Sequence, residues 1–351
     1  MKIGLLTSGG DCQGLNAALR GVAKTLYTAV PYVELYGIQD GFRGLIDRVW
    51  RRMGLQEFSG ILREGGTILG TSKQQQKSLQ NNDAKSIDKL NTMVRNYQNE
   101  RFEALVMLGG NSTQKTAYAL SQNGVNLVTL PKTIDNDLCG TDYTFGFNSA
   151  VAKATEFLDA IHSTAASHGR IFVIELMGNK AGWVTLHAGM AGGADVILLP
   201  EVPYSLDSVL GVIKKRNKSG KGFSIIAIAE GALSKEELAI PEDERKFEGT
   251  SSGTRLVKLL SEQLKQDVRL LIPGHYQRGG DPTAADRVLC SRMGAKAGEL
   301  ILKRQYGQMV ALHGTSIDSV PLSEVAGKMK SIPSDSEFLI QARLLGISLG
   351  E

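Results

Sequence analysis

The sequence predicts an α/β fold: mainly parallel sheets flanked by helices, in two domains. Three observations carry that expectation. Short apolar runs alternate with helix-length segments, the pattern of strands joined by crossover helices. Clusters of glycine and polar residues fall directly after the apolar runs, where such sheets place their ligands beyond the carboxyl ends of the strands. The length, 351 residues, corresponds to about two domains at roughly 150 residues each.

The elements follow in order. Residues 2–7 form an apolar run that ends in Ser8-Gly9-Gly10-Asp11. Residues 15–26 place Leu15, Leu19, Val22 and Leu26 at helical spacing. The chain therefore opens as strand, glycine turn, helix. Residues 32–38 read as a second strand. Residues 104–108 form a strand that ends at Gly109-Gly110, a helix is expected over 115–121, and a strand over 126–130 is closed by Pro131. Further strands are expected at 171–176, 196–199, 224–229 and 268–272, with a helical stretch over 183–190. Residues 73–85, with Gln74-Gln75-Gln76 and Asn81-Asn82, form a polar loop, either a connector or a lid over a ligand.

Composition narrows the function. Hydrophobic residues make up 42% and charged residues 22%, which excludes a disordered chain. The net charge of +4 is too small for a nucleic-acid-binding surface. Lys214, Lys215, Arg216, Lys218 and Lys221 form a dense basic run, read as a solvated surface or an effector site. Cys12, Cys139 and Cys290 are widely spaced with no C-x-x-C pair, so neither a disulfide framework nor a zinc site is expected. Reduced thiols and an N-terminus without a long apolar stretch predict a cytoplasmic protein. No run of 18 apolar residues predicts a membrane span.

Five clusters carry chemistry. Ser8-Gly9-Gly10-Asp11, between a strand and a helix, suits either a phosphate or a tight turn. It is neither of the two common nucleotide fingerprints. Residues 65–73, Gly-Gly-Thr-Ile-Leu-Gly-Thr-Ser-Lys, offer hydroxyls, glycines and the ammonium of Lys73. Gly109-Gly110-Asn111-Ser112-Thr113 again follows a strand. Lys132-Thr133-Ile134-Asp135-Asn136-Asp137 supplies two carboxylates, a hydroxyl and an ammonium. It is either a general base for phosphoryl transfer or an Asx-type turn. The fifth group, Arg170, Arg269 and the run His275-Tyr276-Gln277-Arg278-Gly279-Gly280, reads as anion-binding, though each arginine alone reads as a surface residue. His168 and His187 lack a carboxylate partner nearby in sequence and are read as structural.

Together these residues resemble the 6-phosphofructokinase family. The resemblance rests on residues 9–16, Pro131 through Asp137, Met177-Gly178 and 274–280, and it spans about residues 1–300 in order. It implies two α/β domains with the active site in the cleft between them. The first would comprise 1–138 and about 277–327 and bind the donor. The second would comprise 139–276 and about 328–351 and bind the sugar phosphate. The implied reaction moves a phosphoryl group from magnesium-bound ATP, or in one branch pyrophosphate, to the 1-hydroxyl of fructose 6-phosphate. By matching position, Asp135 is the implied general base, flanked by Thr133 and Asp137. Met177, Gly178, Asn179, Glu230, His275 and Arg278 would hold the sugar phosphate. Arg170 and Arg269 match arginines that reach a neighbouring subunit's sugar, implying a homo-oligomer with shared sites, commonly a tetramer. Gly9, Gly10, Lys73, Gln74, Gly110, Asn111, Ser112 and Thr113 would line the donor.

Several positions depart from the family pattern. Asn111 stands where a magnesium-binding carboxylate is usual, so the metal would rely more on donor phosphates and water. Asn179, followed by Lys180, replaces an arginine after Met-Gly, and Lys73 stands where many members have arginine. One bacterial subgroup has asparagine at the first of these positions and a Met-Gly-His-Lys segment where this chain has Met-Gly-Asn-Lys; the chain looks closer to that subgroup, which favours a working enzyme over a binding-only subunit. Donor choice turns on two residues. Ser112 is small and neutral and admits the α-phosphate of ATP; Lys132 is the residue that pyrophosphate users carry, though mixed-type ATP members carry it too. The argument at Ser112 is the more direct and favours ATP. A different acceptor, such as sedoheptulose 7-phosphate, stays open. Arg20, Lys24, Lys218 and Lys221 match or lie near effector positions, while the arginine expected near His162 is missing.

Overall fold

The first apolar run forms β1 (Lys2–Thr7), buried from Ile3 onward. The helix behind it, α1 (Leu15–Ala29), buries Leu15, Leu19, Val22 and Leu26, the predicted stripe. The computed structural model describes residues 1–72, 84–245, 247 and 249–351. Next come β2 (Glu34–Ile38), β3 (Trp50–Met53), α2 (Ala84–Glu100), β4 (Ala104–Gly109), α3 (Asn111–Gln122) and β5 (Leu127–Pro131). After α4 (Phe147–His168) the chain runs through β6 (Ile171–Leu176), α5 (Trp183–Ala191), β7 (Val196–Leu198), α6 (Leu206–Lys218), β8 (Ser224–Ala229), α7 (Ser252–Gln263) and β9 (Val268–Leu271). It ends with α8 (Ala284–Leu302), β10 (Gln308–His313), β11 (Ser316–Pro321) and short helices. No helix among the described residues is long and apolar enough to cross a membrane.

The chain forms two compact units, Met1–Ser149 with Arg278–Lys330, and Ala150–Gln277 with Ser331–Glu351. The first unit holds a seven-stranded sheet in the order β11-β10-β5-β4-β1-β2-β3. Its central strands are parallel; β3 and β11 join the edges antiparallel. Strand order reverses between β1 and β4, which makes their carboxyl ends the switch point where open α/β sheets bind ligands. Leu6, Leu105, Met107, Phe42 and Met309 belong to the core on this sheet. On it, α1 and α8 approach closely. A Cβ on Gly21 would lie 2.7 Å from the Ser291 carbonyl oxygen, and one on Gly294 would lie 2.9 Å from the Val22 nitrogen.

The second unit holds a four-stranded parallel sheet in the order β7-β8-β6-β9. β6 and β8 are buried along their full length, as strands covered on both faces must be. Ile171, Val173, Ile226, Ile228, Leu256 and Leu260 anchor its core. The fold class is thus the one read from the sequence. The difference with most bearing on the site is at α3, which starts at Asn111 rather than 115. Gly110 is its N-terminal cap in an extended conformation, so the cluster expected as a loop forms the first helical turn.

Candidate active site

In the first unit, strand pairing assembles three of the sequence clusters. β1 pairs with β4, and β4 with β5, so that Gly109 lies opposite Pro131. The Lys132 amide donates to the Gly109 carbonyl at 3.1 Å, and a Cβ on Gly110 would lie 3.3 Å from the Lys132 carbonyl oxygen. Gly9, at φ +84°, leads the chain away from β1. Its carbonyl accepts from Thr71 Oγ1 at 2.6 Å, and Thr7 Oγ1 reaches Thr67 Oγ1 at 2.9 Å. Residues 65–71 are therefore stitched to the glycine turn. Lys73 and Gln74 lie outside the described residues.

Lys132 links these turns. It is buried, and its ammonium donates to the Gly10 carbonyl oxygen. Burial pushes its proton affinity below the ordinary lysine value; Arg278 adds to the fall, while Cys12, Asp11 and Asp135 oppose it. Arg278 in turn donates to the Asp11 carbonyl oxygen at 3.0 Å. Gly9, Gly10, Lys132, Asp135 and Arg278 thus belong to one assembly, and Gly110 and Thr133 adjoin it.

The loop after β5 is tightly defined. The Asp135 amide donates to Thr133 Oγ1 at 3.1 Å, and Thr144 Oγ1 donates to the Thr133 carbonyl at 2.8 Å. Asp135 and Asp137 are half-buried. Burial raises the Asp137 carboxyl above its ordinary value, against a side-chain bond from Thr133 and the charges of Lys132 and Lys330. Among the described residues, Ser8 Oγ, Asp137 Oδ1 and Arg278 Nε are buried without a hydrogen-bond partner. An unmet buried polar atom costs about 1–3 kcal/mol, and all three lie on the loops just described.

At the head of α3, Gly110 supplies no side-chain cap, the arrangement that suits an anion. Asn111 Nδ2 donates to the Lys328 carbonyl at 2.6 Å; its Oδ1 is an oxygen of the kind a hard dication would take. No cluster of three His, Cys, Asp or Glu side chains suited to a metal occurs among the described residues.

In the second unit, Met177, Gly178 and Asn179 follow β6, Glu230 follows β8 and His275 lies beyond β9, all at carboxyl ends of one parallel sheet. Gly178 takes φ +140°, and its carbonyl accepts from the Gly231 amide at 3.2 Å. The Met177 amide donates to Oε1 of the buried Gln277 at 3.2 Å. Asn179, Glu230 and His275 are exposed.

Arg170 and Arg269 are brought together, but at the other end of that sheet. Both bond the single carboxylate of Asp267, each at 2.9 Å. Arg170 stands seven residues before Met177, about 20 Å of extended strand. Asp267 escaped the sequence reading because its role depends on the pairing of β6 with β9. Of the basic run, Arg216 is held by Asp195 at 2.7 Å, while Lys214, Lys215, Lys218 and Lys221 are exposed. Arg20 and Lys24 lie on α1, half-buried and exposed respectively. His187 packs on the ring of Phe338 at 4.6 Å.

The sequence profile of the Phosphofructokinase family matches residues 2–301. A curated relative from Spirochaeta thermophila, named ATP-dependent 6-phosphofructokinase, is 46% identical over 99% of this chain and 97% of its own. Among solved structures, the phosphofructokinase of Pichia pastoris in its T-state superposes with a TM-score of 0.81 at 30% identity over 92% of this chain; the match spans only 35% of that longer chain. A pyrophosphate-dependent phosphofructokinase from Nitrosospira multiformis shares the fold, with a TM-score of 0.82 at 19% identity over 99% of this chain and 92% of its own. With its profile matched over most of its length and a relative this similar end to end, the chain belongs to the phosphofructokinase family.

Proposed function

We propose that this protein transfers the terminal phosphoryl group of ATP to the 1-hydroxyl of D-fructose 6-phosphate, giving fructose 1,6-bisphosphate. The observation that carries the reading is the convergence of the turns after β1, β4 and β5 at the switch point of the first unit's sheet. The start of α3 and the glycine turn would take the donor phosphates. Asp135, two residues beyond Thr133, would accept the proton of the attacking hydroxyl as the new P–O bond forms. Lys132 and Arg278 would stabilise the charge that spreads over the transferred group. Asn111 Oδ1 would contribute to holding magnesium, which would neutralise the donor's phosphates. Met177, Gly178, Asn179, Glu230 and His275 would bind the sugar phosphate.

Ser112 supports ATP over pyrophosphate, because a small neutral side chain leaves room for an α-phosphate. The pairing of Arg170 and Arg269 on Asp267, about 20 Å of strand from Met177, supports their serving another copy's sugar phosphate in a homo-oligomer. Three free cysteines, two of them buried, suit a reducing cytoplasm.

The test is a steady-state assay with fructose 6-phosphate and magnesium, run in parallel with ATP and with pyrophosphate. Turnover with ATP is expected. Turnover with pyrophosphate alone would reverse the donor assignment. Asp135→Asn is expected to lower kcat by about 10²–10⁴-fold with sugar binding retained; normal turnover would remove Asp135 from its role.

A further inference from the structure

We propose that Lys330 is a positioning residue for phosphoryl transfer: it locks the turn at Asn136 and so sets where Asp135 and Asp137 present their carboxylates. This rests on the assignment of Asp135 as the base. Asn136 takes φ +50°, a left-handed conformation that costs an ordinary L-residue about 1–2 kcal/mol. Such a residue persists where its surroundings over-determine it. Here the amide side chain is buried and bonded through both its oxygen and its nitrogen. Its Oδ1 accepts from the Thr144 amide at 3.0 Å and from Lys330 Nζ at 3.1 Å, and its Nδ2 donates to the Asp142 carbonyl at 3.3 Å.

Lys330 completes that arrangement. Its ammonium also donates to the carbonyls of Thr141 and Asp142, each at 2.8 Å. An ammonium has three donors, and three oxygens receive them. Burial pushes the group down to about 8, opposed by Asp142, Cys139 and Asp137. The backbone around it is held as well. The Lys330 amide donates to the Asp137 carbonyl at 2.8 Å, Met329 bridges Leu138, and the Lys328 carbonyl accepts from Asn111. Residues 328–330 therefore fasten the carboxylate loop on one side and the head of α3 on the other. Met keeps most of the length of the side chain while leaving the three oxygens without this donor.

Lys330→Met is expected to lower kcat by roughly 10- to 100-fold, the effect of a displacement near 1 Å at a reacting group. KM for ATP and for fructose 6-phosphate should stay within about threefold, since binding groups elsewhere are untouched. Lys330→Gln, which retains a donor, is read by the same criteria if the Met variant does not fold. A kcat within twofold of wild type, or a loss carried wholly by KM, overturns the proposal. Failure of both variants to fold also overturns it, assigning Lys330 to stability alone. Asp135→Asn is assayed alongside. If it retains turnover, the base assignment fails whatever Lys330 does; if it is inactive while Lys330→Met is normal, only the role of Lys330 fails.

Discussion

Asp286 offers a quantitative test of how the loop after β5 is anchored. This carboxylate is fully buried on α8. It accepts from the Gly146 amide at 3.2 Å, the Ser149 amide at 2.8 Å and Ser149 Oγ at 2.5 Å, and so caps the start of α4. Asp286→Ala leaves two buried amides without an acceptor, each costing about 1–3 kcal/mol. The Ser149 hydroxyl keeps Thr283 Oγ1 at 3.5 Å. Against this stands the relief of burying a charge: burial raises the Asp286 carboxyl above its ordinary value despite the Ser149 and Gly146 bonds. The balance is a net loss of about 3 kcal/mol. At roughly 2–4 °C per kcal/mol for units of 150–250 residues, the thermal midpoint should fall by about 6–12 °C. Calorimetry reads this directly, and a midpoint within about 1 °C of wild type would refute the anchoring argument. The pH dependence has a defined sign. A carboxyl with a raised folded value binds its proton more tightly folded than unfolded, so its contribution is full below the ordinary Asp value near 4 and lost as pH rises through the folded value. The stability advantage of wild type over Asp286→Asn, which does not titrate, should shrink across that window.

Two further outcomes follow from the geometry. Ser112→Asp puts a carboxylate in the first turn of α3 and should cut ATP turnover at least about tenfold, equivalent to about 1.4 kcal/mol of repulsion, while pyrophosphate turnover is spared; equal losses with both donors would count against Ser112 as the selecting position. Gly294→Ala drives a Cβ against the α1 backbone, 2.9 Å from the Val22 nitrogen and 3.0 Å from the Gly21 Cα, and should lower stability by about 1–3 kcal/mol in a urea titration; an unchanged midpoint would show that α1 and α8 can separate without cost.

What the sequence reveals and conceals here has physical causes. β4 was legible because a strand covered on both faces is an unbroken apolar run, and α1 because its apolar residues recur at helical spacing. α8 buries Cys290, Gly294, Ala297 and Gly298, small residues that leave no strong stripe. β3, Trp50-Arg51-Arg52-Met53, exposes both arginines and so lacks the run that marks a central strand. The clusters at 8–11, 109–113, 132–137 and 275–280 were legible because each comes after a strand. Their partners were not: Asp267, Asp286 and Lys330 act through contacts between segments distant in sequence, and none sits in a recognisable motif. Lys132 was visible as a donor-specificity position, but its bond to Gly10 depends on β1 and β5 flanking β4.

The way the cations are held argues for the chemistry assigned to the first unit. A site for a polyphosphate needs positive charge that is fixed in place yet not neutralised. Ion-pairing each cation to a carboxylate would fix it but spend its field. On these loops the cations are fixed by carbonyl oxygens: Lys132 by Gly10 and Arg278 by Asp11. Carbonyl dipoles orient a cation without cancelling its charge, so the field remains for an incoming anion and for charge that develops during transfer. Arg170 and Arg269 make the contrast. They share the Asp267 carboxylate, which removes one of their two charges and holds both guanidinium groups near one point. That arrangement suits a single phosphate monoester better than a polyphosphate. The two kinds of restraint fit the two substrates proposed above, a donor with several phosphates and an acceptor with one.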